Sequence, residues 1–163
     1  EGVTARVAGQ TKTTVADEQG KWQVALDPMP ASTDPIVLTV AGTNTIELTN
    51  VLVGDVWICS GQSNMEWPVA RSNDPEQVAA GADQPMIRLF NASARKKAAS
   101  EPQSDLDAEW QVCRPEPVRP FSAVGDHFAR AGRGKIAVPI GLINVSWGGM
   151  PAEALTPMAA MLS

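Results

Sequence analysis

A single histidine, two cysteines and the lack of any long apolar run set the first limits on this 163-residue chain. One His beside Cys59 and Cys113 does not make a structural zinc site, which wants four ligands drawn from those types. Two cysteines allow one disulfide at most, so there is no disulfide scaffold, and the redox compartment stays open. No apolar run approaches the roughly 18 residues that a membrane span needs. Basic residues are outnumbered, 13 against 18 acidic ones, and the net charge of -5 argues against nucleic acid or an anionic membrane as the main partner. The opening stretch EGVTARVAGQ has neither a basic nor an apolar segment, so no signal peptide is visible, and Glu1 reads as the middle of a strand pattern.

What is present is the composition of a folded protein. Apolar residues make up 44% and charged residues a somewhat sparse 19%. The length suits one domain with a sizeable core, or one small domain plus part of another. Residues 1–50 read as short strands: VTARVAG, KWQVAL, IVLTV and TNTIELTNV alternate and are bounded by turn residues. Three to five strands are too few to close a sandwich, so this segment is expected to be part of a β-sandwich.

Residues 51–163 have a different character. VWIC is a continuous apolar run, as expected of a strand buried on both faces. Asp74 and Pro75 look like a helix cap and first position. MIRLF reads as a second strand and VPIGLINVSW as a third. Between them PFSAVGDHFARAG predicts a helix with Phe121, Val124, Phe128 and Ala131 on its packed face and Gly132 at its end. A polar loop covers 91–107, and another helix is expected from Pro151 onward. Strands alternating with helices imply a parallel sheet and an α/β domain.

In open parallel sheets, sites form beyond the carboxyl ends of the strands. Two such ends are rich here: SGQSN after VWIC, and SWGGMPAE after GLINV. A serine nucleophile needs an exposed tip, a base within reach and N–H donors aimed at the developing oxyanion. Ser63 offers the tip, and its own amide with that of Gly148 or Gly149 would offer donors. GQSNM is not the G-x-S-x-G elbow of the α/β-hydrolases, because Met65 stands where the second Gly belongs. On pattern alone an ordinary Ser- and Gly-containing turn fits as well.

GDVWICSGQSNMEWPV, followed some eighty residues later by VPIGLINVSWGGMPAEAL, resembles the sialate O-acetylesterase family. WQVCRPE, FSAVGDHFAR and GKWQVAL resemble it too, so the likeness spans nearly the whole chain. The resemblance implies a serine esterase of the SGNH type with a flavodoxin-like three-layer α/β domain, of which residues 51–163 would be the N-terminal half, and it makes the chain look like a fragment. It implies Ser63 as nucleophile and oxyanion amide, with Gly149, or else Gly148, as a second donor. It implies a third donor and an Asp-x-x-His pair from motifs downstream, supplied by the rest of the polypeptide or a second chain. It further implies an acetylated carbohydrate substrate, no cofactor or metal, and a secreted or periplasmic setting. Met150 and Leu155 depart from the family's usual Thr or Ser and Trp, which touches substrate preference more than reaction type.

Gln62, Asn64, Glu66, Trp67 and Glu153 are the candidate substrate-binding residues, a tryptophan face suiting a sugar ring and polar groups its hydroxyls. Arg88 would join them or pair with Glu153. His127 follows Asp126, but adjacent helical residues point about 100 degrees apart, so a structural histidine is the expectation. Asp105, Asp107 and Glu109 alternate without the glycine or ligand count of a calcium loop. GRGK at 132–135 lacks the spacing of a phosphate loop and reads as a helix end. Asn91-Ala92-Ser93 and Asn144-Val145-Ser146 match the N-glycosylation pattern, the second inside an expected buried strand. An acetylxylan-type polysaccharide esterase, or a non-catalytic carbohydrate-binding protein lacking the base, are the alternative readings.

Overall fold

The computed structural model describes residues 1–95, 106–156 and 160. The chain divides into two units, Glu1–Gly54 and Asp55–Ser163.

The first unit is one antiparallel sheet in the order β2-β1-β3-β4, with β1 Gly2–Val7, β2 Gln10–Val15, β3 Ser32–Ala41 and β4 Thr45–Val53. The division expected after Asn50 falls inside β4. Val3, Ala5 and Val7 are buried while their neighbours are not, the period-2 pattern of a half-buried strand. Val7 pairs with Gln10, which leaves the two-residue turn Ala8-Gly9, and both residues have positive φ as such hairpins require. The register of β3 against β4 shifts between Ile36 and Leu38, opposite the stretch in which Asn50 takes φ 59°. KWQVAL is not a strand. Its neighbour Asp27 is held by side chains instead, its N–H donating to Gln10 Oε1 at 2.8 Å and its carboxylate meeting Lys12 Nζ at 2.7 Å.

The second unit carries a sheet in the order β5-β8-β6-β7. After β5 (Asp55–Cys59) come α1 (Ser63–Glu66) and α2 (Pro75–Ala80), then β6 (Gln84–Asn91) and β7 (Trp110–Cys113). The helices α3 (Pro115–Val118) and α4 (Ala123–Arg133) lead into β8 (Ile140–Asn144). The strands β5, β8 and β6 are parallel, and β7 pairs antiparallel with β6. Ile87, Leu89, Ile140 and Leu142 on the central strands pack with Phe121, Val69 and Ala129, all at most 2% exposed. This is the α/β arrangement the strand–helix alternation implies. No helix of the described residues is long and apolar enough to cross a membrane.

Several details differ from the sequence reading. VWIC is not buried on both faces: β5 is the end strand of its sheet, and Val56, Trp57 and Ile58 are exposed. Asp74 occupies the cap position of α2 without a side-chain capping bond, in a left-handed conformation with φ 48°. The packed face of α4 carries Ala123, Asp126 and Ala129, whereas Val124 and Phe128 point outward. Small residues win that face because the helix lies close to the sheet. A Cβ on Gly125 would come within 3.1 Å of Cys59 Sγ, and one on Gly132 within 3.3 Å of Ile140 Cδ1. Phe128 meets Trp57 edge-on instead, with ring centres 5.1 Å apart. The helix ends at Gly134 rather than Gly132. After Pro151 the described chain makes a short 3-10 turn, Ala152–Leu155, and most of the helix expected beyond it lies outside the described residues. So do Asp105 and most of the loop at 91–107.

Candidate active site

The three parallel strands end level with one another. Cys59 of β5 pairs with Asn144 of β8, which pairs with Asn91 of β6. Beyond those ends the backbone continues to zip the loops together: Val145 N–H donates to Cys59 O at 3.0 Å, and Trp147 N–H to Gly61 O at 2.9 Å. SGQSN and SWGG therefore lie side by side, although more than eighty positions apart in the sequence.

Ser63 opens α1 and is exposed at the tip of β5. Gln62 precedes it as the cap residue, its carbonyl accepting the Glu66 N–H at 2.9 Å, and Gln62 and Asn64 are exposed. Met65 turns inward, where its sulfur meets the buried Ser122 Oγ at 3.5 Å. The inward Met and outward Ser63 follow from a one-turn helix seated on the core by a single apolar side chain.

The Gly148-Gly149 turn comes directly against α1. A Cβ on Gly148 would lie 2.6 Å from Glu66 Oε2 and 3.2 Å from Ser63 Oγ, so any other residue there would displace the Glu66 carboxylate. Gly149 has open space but φ +78°, the left-handed region that glycine enters without strain. The Gly148 N–H donates to Glu66 Oε2 at 2.5 Å. Among the described residues the N–H groups of Ser63 and Gly149 carry no hydrogen bond.

Ser63 lines a cavity of about 510 Å³ with Glu66, Trp67, Arg71, Asn91 and Asn144. Trp67 is 49% exposed, and its Nε1–H donates to Arg71 O at 2.8 Å, which fixes the ring plane at the cavity wall. The segment beneath is held by Val69 N–H to Phe121 O and Ala123 N–H to Trp67 O, each 2.9 Å. Glu153 is exposed in the turn after Pro151 and is not part of this cavity wall. Arg88 donates to Pro85 O within its own strand, and burial with the nearby Arg114 lowers its affinity for the proton.

Sequence reading missed the cavity floor. Asn144 Nδ2 donates to Asn91 Oδ1 at 3.2 Å, and Ser146 Oγ donates to Asn144 Oδ1 at 2.6 Å. Ser93 Oγ donates to Ser146 O at 2.7 Å. The two Asn-x-Ser triplets thus interlock at the ends of adjacent strands, with Asn144 and Ser146 at most 2% exposed. The signal is the repeated triplet itself, which as sequence alone matches a glycosylation pattern and as structure is a pairing.

His127 is exposed on α4, whereas Asp126 beside it is fully buried and meets Arg130 Nε at 2.8 Å. The two do not form a dyad. Cys59 and Cys113 are buried free thiols, and burial raises both; Cys113, with Asp126 also beside it, is pushed up to about 12. Among the described residues no three His, Cys, Asp or Glu side chains converge as metal ligands.

Residues 53–158 match the model of a family described as SASA, the carbohydrate esterase, sialic acid-specific acetylesterase family. The chain belongs to that family. Sialate O-acetylesterases of Rattus norvegicus and Homo sapiens are each 34% identical to it, over 91% and 87% of this chain and over 30% and 29% of their own lengths. The solved structure of a carbohydrate acetylesterase from Xanthomonas citri superposes with a TM-score of 0.90 at 37% identity, covering 98% of this chain and 37% of that one. The chain thus spans about a third of the length of these acetylesterase relatives.

Proposed function

We propose that the protein carrying this chain is a carbohydrate O-acetylesterase with Ser63 as its nucleophile. Membership of the acetylesterase family supports the chemistry. The observation that carries the assignment to this residue is the exposed Ser63 at the strand tip, against the Gly148 turn, its own amide and that of Gly149 making no hydrogen bond among the described residues.

In this reading Ser63 Oγ attacks the carbonyl carbon of a sugar-bound acetyl group while its proton passes to a histidine base. The negative charge gathers on the carbonyl oxygen, where the N–H groups of Ser63 and Gly149 receive it. Gly149 is preferred to Gly148, whose N–H is committed to Glu66. Collapse breaks the bond to the sugar oxygen, which takes the proton and leaves. Water then attacks the acetyl-serine by the same route and releases acetate. The base comes from polypeptide outside these 163 residues, since His127 is exposed on α4 and its neighbouring carboxylate is turned into the core. The Trp67 face, fixed through its Nε1, suits stacking on the sugar ring, with Gln62 and Asn64 at the rim.

Hydrolysis of 4-nitrophenyl acetate by the full-length protein tests this, run beside Ser63→Ala and beside residues 1–163 alone. The full-length protein should turn over, and Ser63→Ala should lose about 10,000-fold or more in kcat. Full activity in Ser63→Ala would remove Ser63 from the mechanism, and full activity in the 163-residue chain would remove the external base. Release of acetate from O-acetylated sialic acid and from acetylated xylan, compared side by side, would assign the sugar.

A further inference from the structure

Glu66 stands on the cavity wall, where a carboxylate would naturally be read as a ligand for sugar hydroxyls. Its hydrogen bond says otherwise. Oε2 accepts the Gly148 N–H at 2.5 Å, joining α1 to a turn 82 positions away in the sequence.

We propose that Glu66 is a positioning residue for acyl transfer, its carboxylate fixing the Gly148 peptide so that the next amide, Gly149 N–H, is held ready for the oxyanion. This rests on the reading of Ser63 as nucleophile and extends it to a residue that never touches the reacting atoms. Two consecutive glycines have the widest backbone freedom of any dipeptide, so a Gly-Gly turn does not orient its own amides. Oxyanion stabilisation depends on donors aimed beforehand, because reorganisation during the reaction forfeits much of the gain. Among the bonds that restrain the turn are Trp147 N–H to Gly61 O and Gly148 N–H to Glu66 Oε2. The first unengaged amide after them is that of Gly149. Glu66 lies three residues from Ser63 on the same helical turn, so one short element carries both the nucleophile and the tether. The spacing between Ser63 Oγ and the Gly149 N–H is then set locally, whatever the rest of the cavity does.

Charge is not what the role needs. A carboxylate beside a developing oxyanion repels it, so an uncharged acceptor of the same length should serve equally well. That separates a tether from both a general base and a sugar ligand.

The test uses the full-length protein with Glu66→Gln, Glu66→Met and Ser63→Ala, assayed on 4-nitrophenyl acetate, which carries no sugar. Glu66→Gln keeps an acceptor oxygen and should retain kcat within about 3-fold, with an unchanged pH profile. Glu66→Met keeps the shape but has no comparable acceptor, and should lose about 10- to 100-fold in kcat with little change in KM, the lower side of removing one donor outright. Amide hydrogen exchange at Gly148, followed by NMR, should speed up in Glu66→Met and stay slow in Glu66→Gln. A loss in Glu66→Gln as large as in Glu66→Met would overturn the proposal, as would full kcat in Glu66→Met with losses confined to KM for acetylated sugar. Either result beside an inactive Ser63→Ala leaves the nucleophile standing and removes only the tether. An active Ser63→Ala overturns both.

Discussion

The carbonyl of Gly61 accepts the amide of Trp147 at 2.9 Å, two residues before Ser63 and one before Gly148. It extends the pairing of β5 and β8 past the last residue of either strand, so the two loops behave as a continuation of the sheet. That placement makes the glycine turn sensitive to changes of a single atom.

Gly148→Ala and Gly149→Ala should fail in different ways. The new methyl at 148 would come within 2.6 Å of Glu66 Oε2 and 3.2 Å of Ser63 Oγ. The Glu66 side chain can swing aside, so stability should change by less than about 1 kcal/mol, while the tether breaks and kcat falls about 100-fold. At 149 there is room, but φ is +78°, where a Cβ costs about 1–2 kcal/mol. Gly149→Ala should therefore lower Tm where Gly148→Ala does not. Thermal unfolding and 4-nitrophenyl acetate kinetics on both variants check this, and equal Tm losses would contradict it.

Asn144→Asp should destabilise the floor of the cavity. Asn144 Nδ2 donates to Asn91 Oδ1, while Asn144 Oδ1 accepts from Ser146 Oγ. Aspartate keeps the acceptor but sets a second oxygen against Asn91 Oδ1, at a position only 2% exposed. A loss of about 1–3 kcal/mol is expected, measured from urea midpoints. The same burial means that Asn144 should stay unmodified when the protein is made in a glycosylating host, so that removing the triplet with Ser146→Ala leaves the glycan mass unchanged. A glycan on Asn144 would mean the network does not form.

The strand–helix alternation and the glycine-flanked ends were legible in the sequence because they rest on local signals: apolar runs, caps and turn residues. What was not legible depends on what each element meets. VWIC reads as doubly buried, yet its burial is set by how many neighbours β5 has in the sheet, which no run of four residues encodes. On α4 the bulky Val124 and Phe128 suggest a packed face, whereas the helix sits close enough to the sheet that Ala123, Asp126 and Ala129 fill the contact. The Asn-x-Ser pair illustrates the same limit at the site. Each triplet is ordinary alone, and only the parallel register that sets Asn91 against Asn144 makes them a network.

Arg130→Met should be more damaging than Asp126→Asn, although the two side chains are partners at 2.8 Å. Asp126 is completely buried, while the Arg130 side chain keeps 22% of its surface and also donates to Val78 O and Gly81 O. Removing the arginine leaves a buried carboxylate without its cation, which costs about 3–5 kcal/mol. Removing the aspartate's charge leaves an arginine that still has two carbonyl acceptors and some water, for roughly 1–2 kcal/mol. Chemical denaturation of the two variants decides it, and the opposite order would show that Asp126 finds another partner.

Cys113 gives the protein an alkaline limit that a variant can isolate. Its thiol is wholly buried, 3.9 Å from Asp126 Oδ1, and burial first and the carboxylate second push it up to about 12 from an ordinary 9.0. A folded-state value above the unfolded one means that the native chain holds this proton more tightly. The corresponding stability is fully present below pH 9 and drains away as pH rises toward 12, where the folded thiol also ionises. Each unit of pH inside that window removes about 1.4 kcal/mol from this one group. Ordinary amines also ionise at alkaline pH, so the readout is the difference in unfolding free energy between the wild type and Cys113→Ala. That difference should be constant from pH 6 to 8 and shrink steadily above about 9. A difference that stayed flat to pH 11 would mean that the thiol ionises no differently in the folded chain, and that Asp126 and the core around it do not exclude the thiolate.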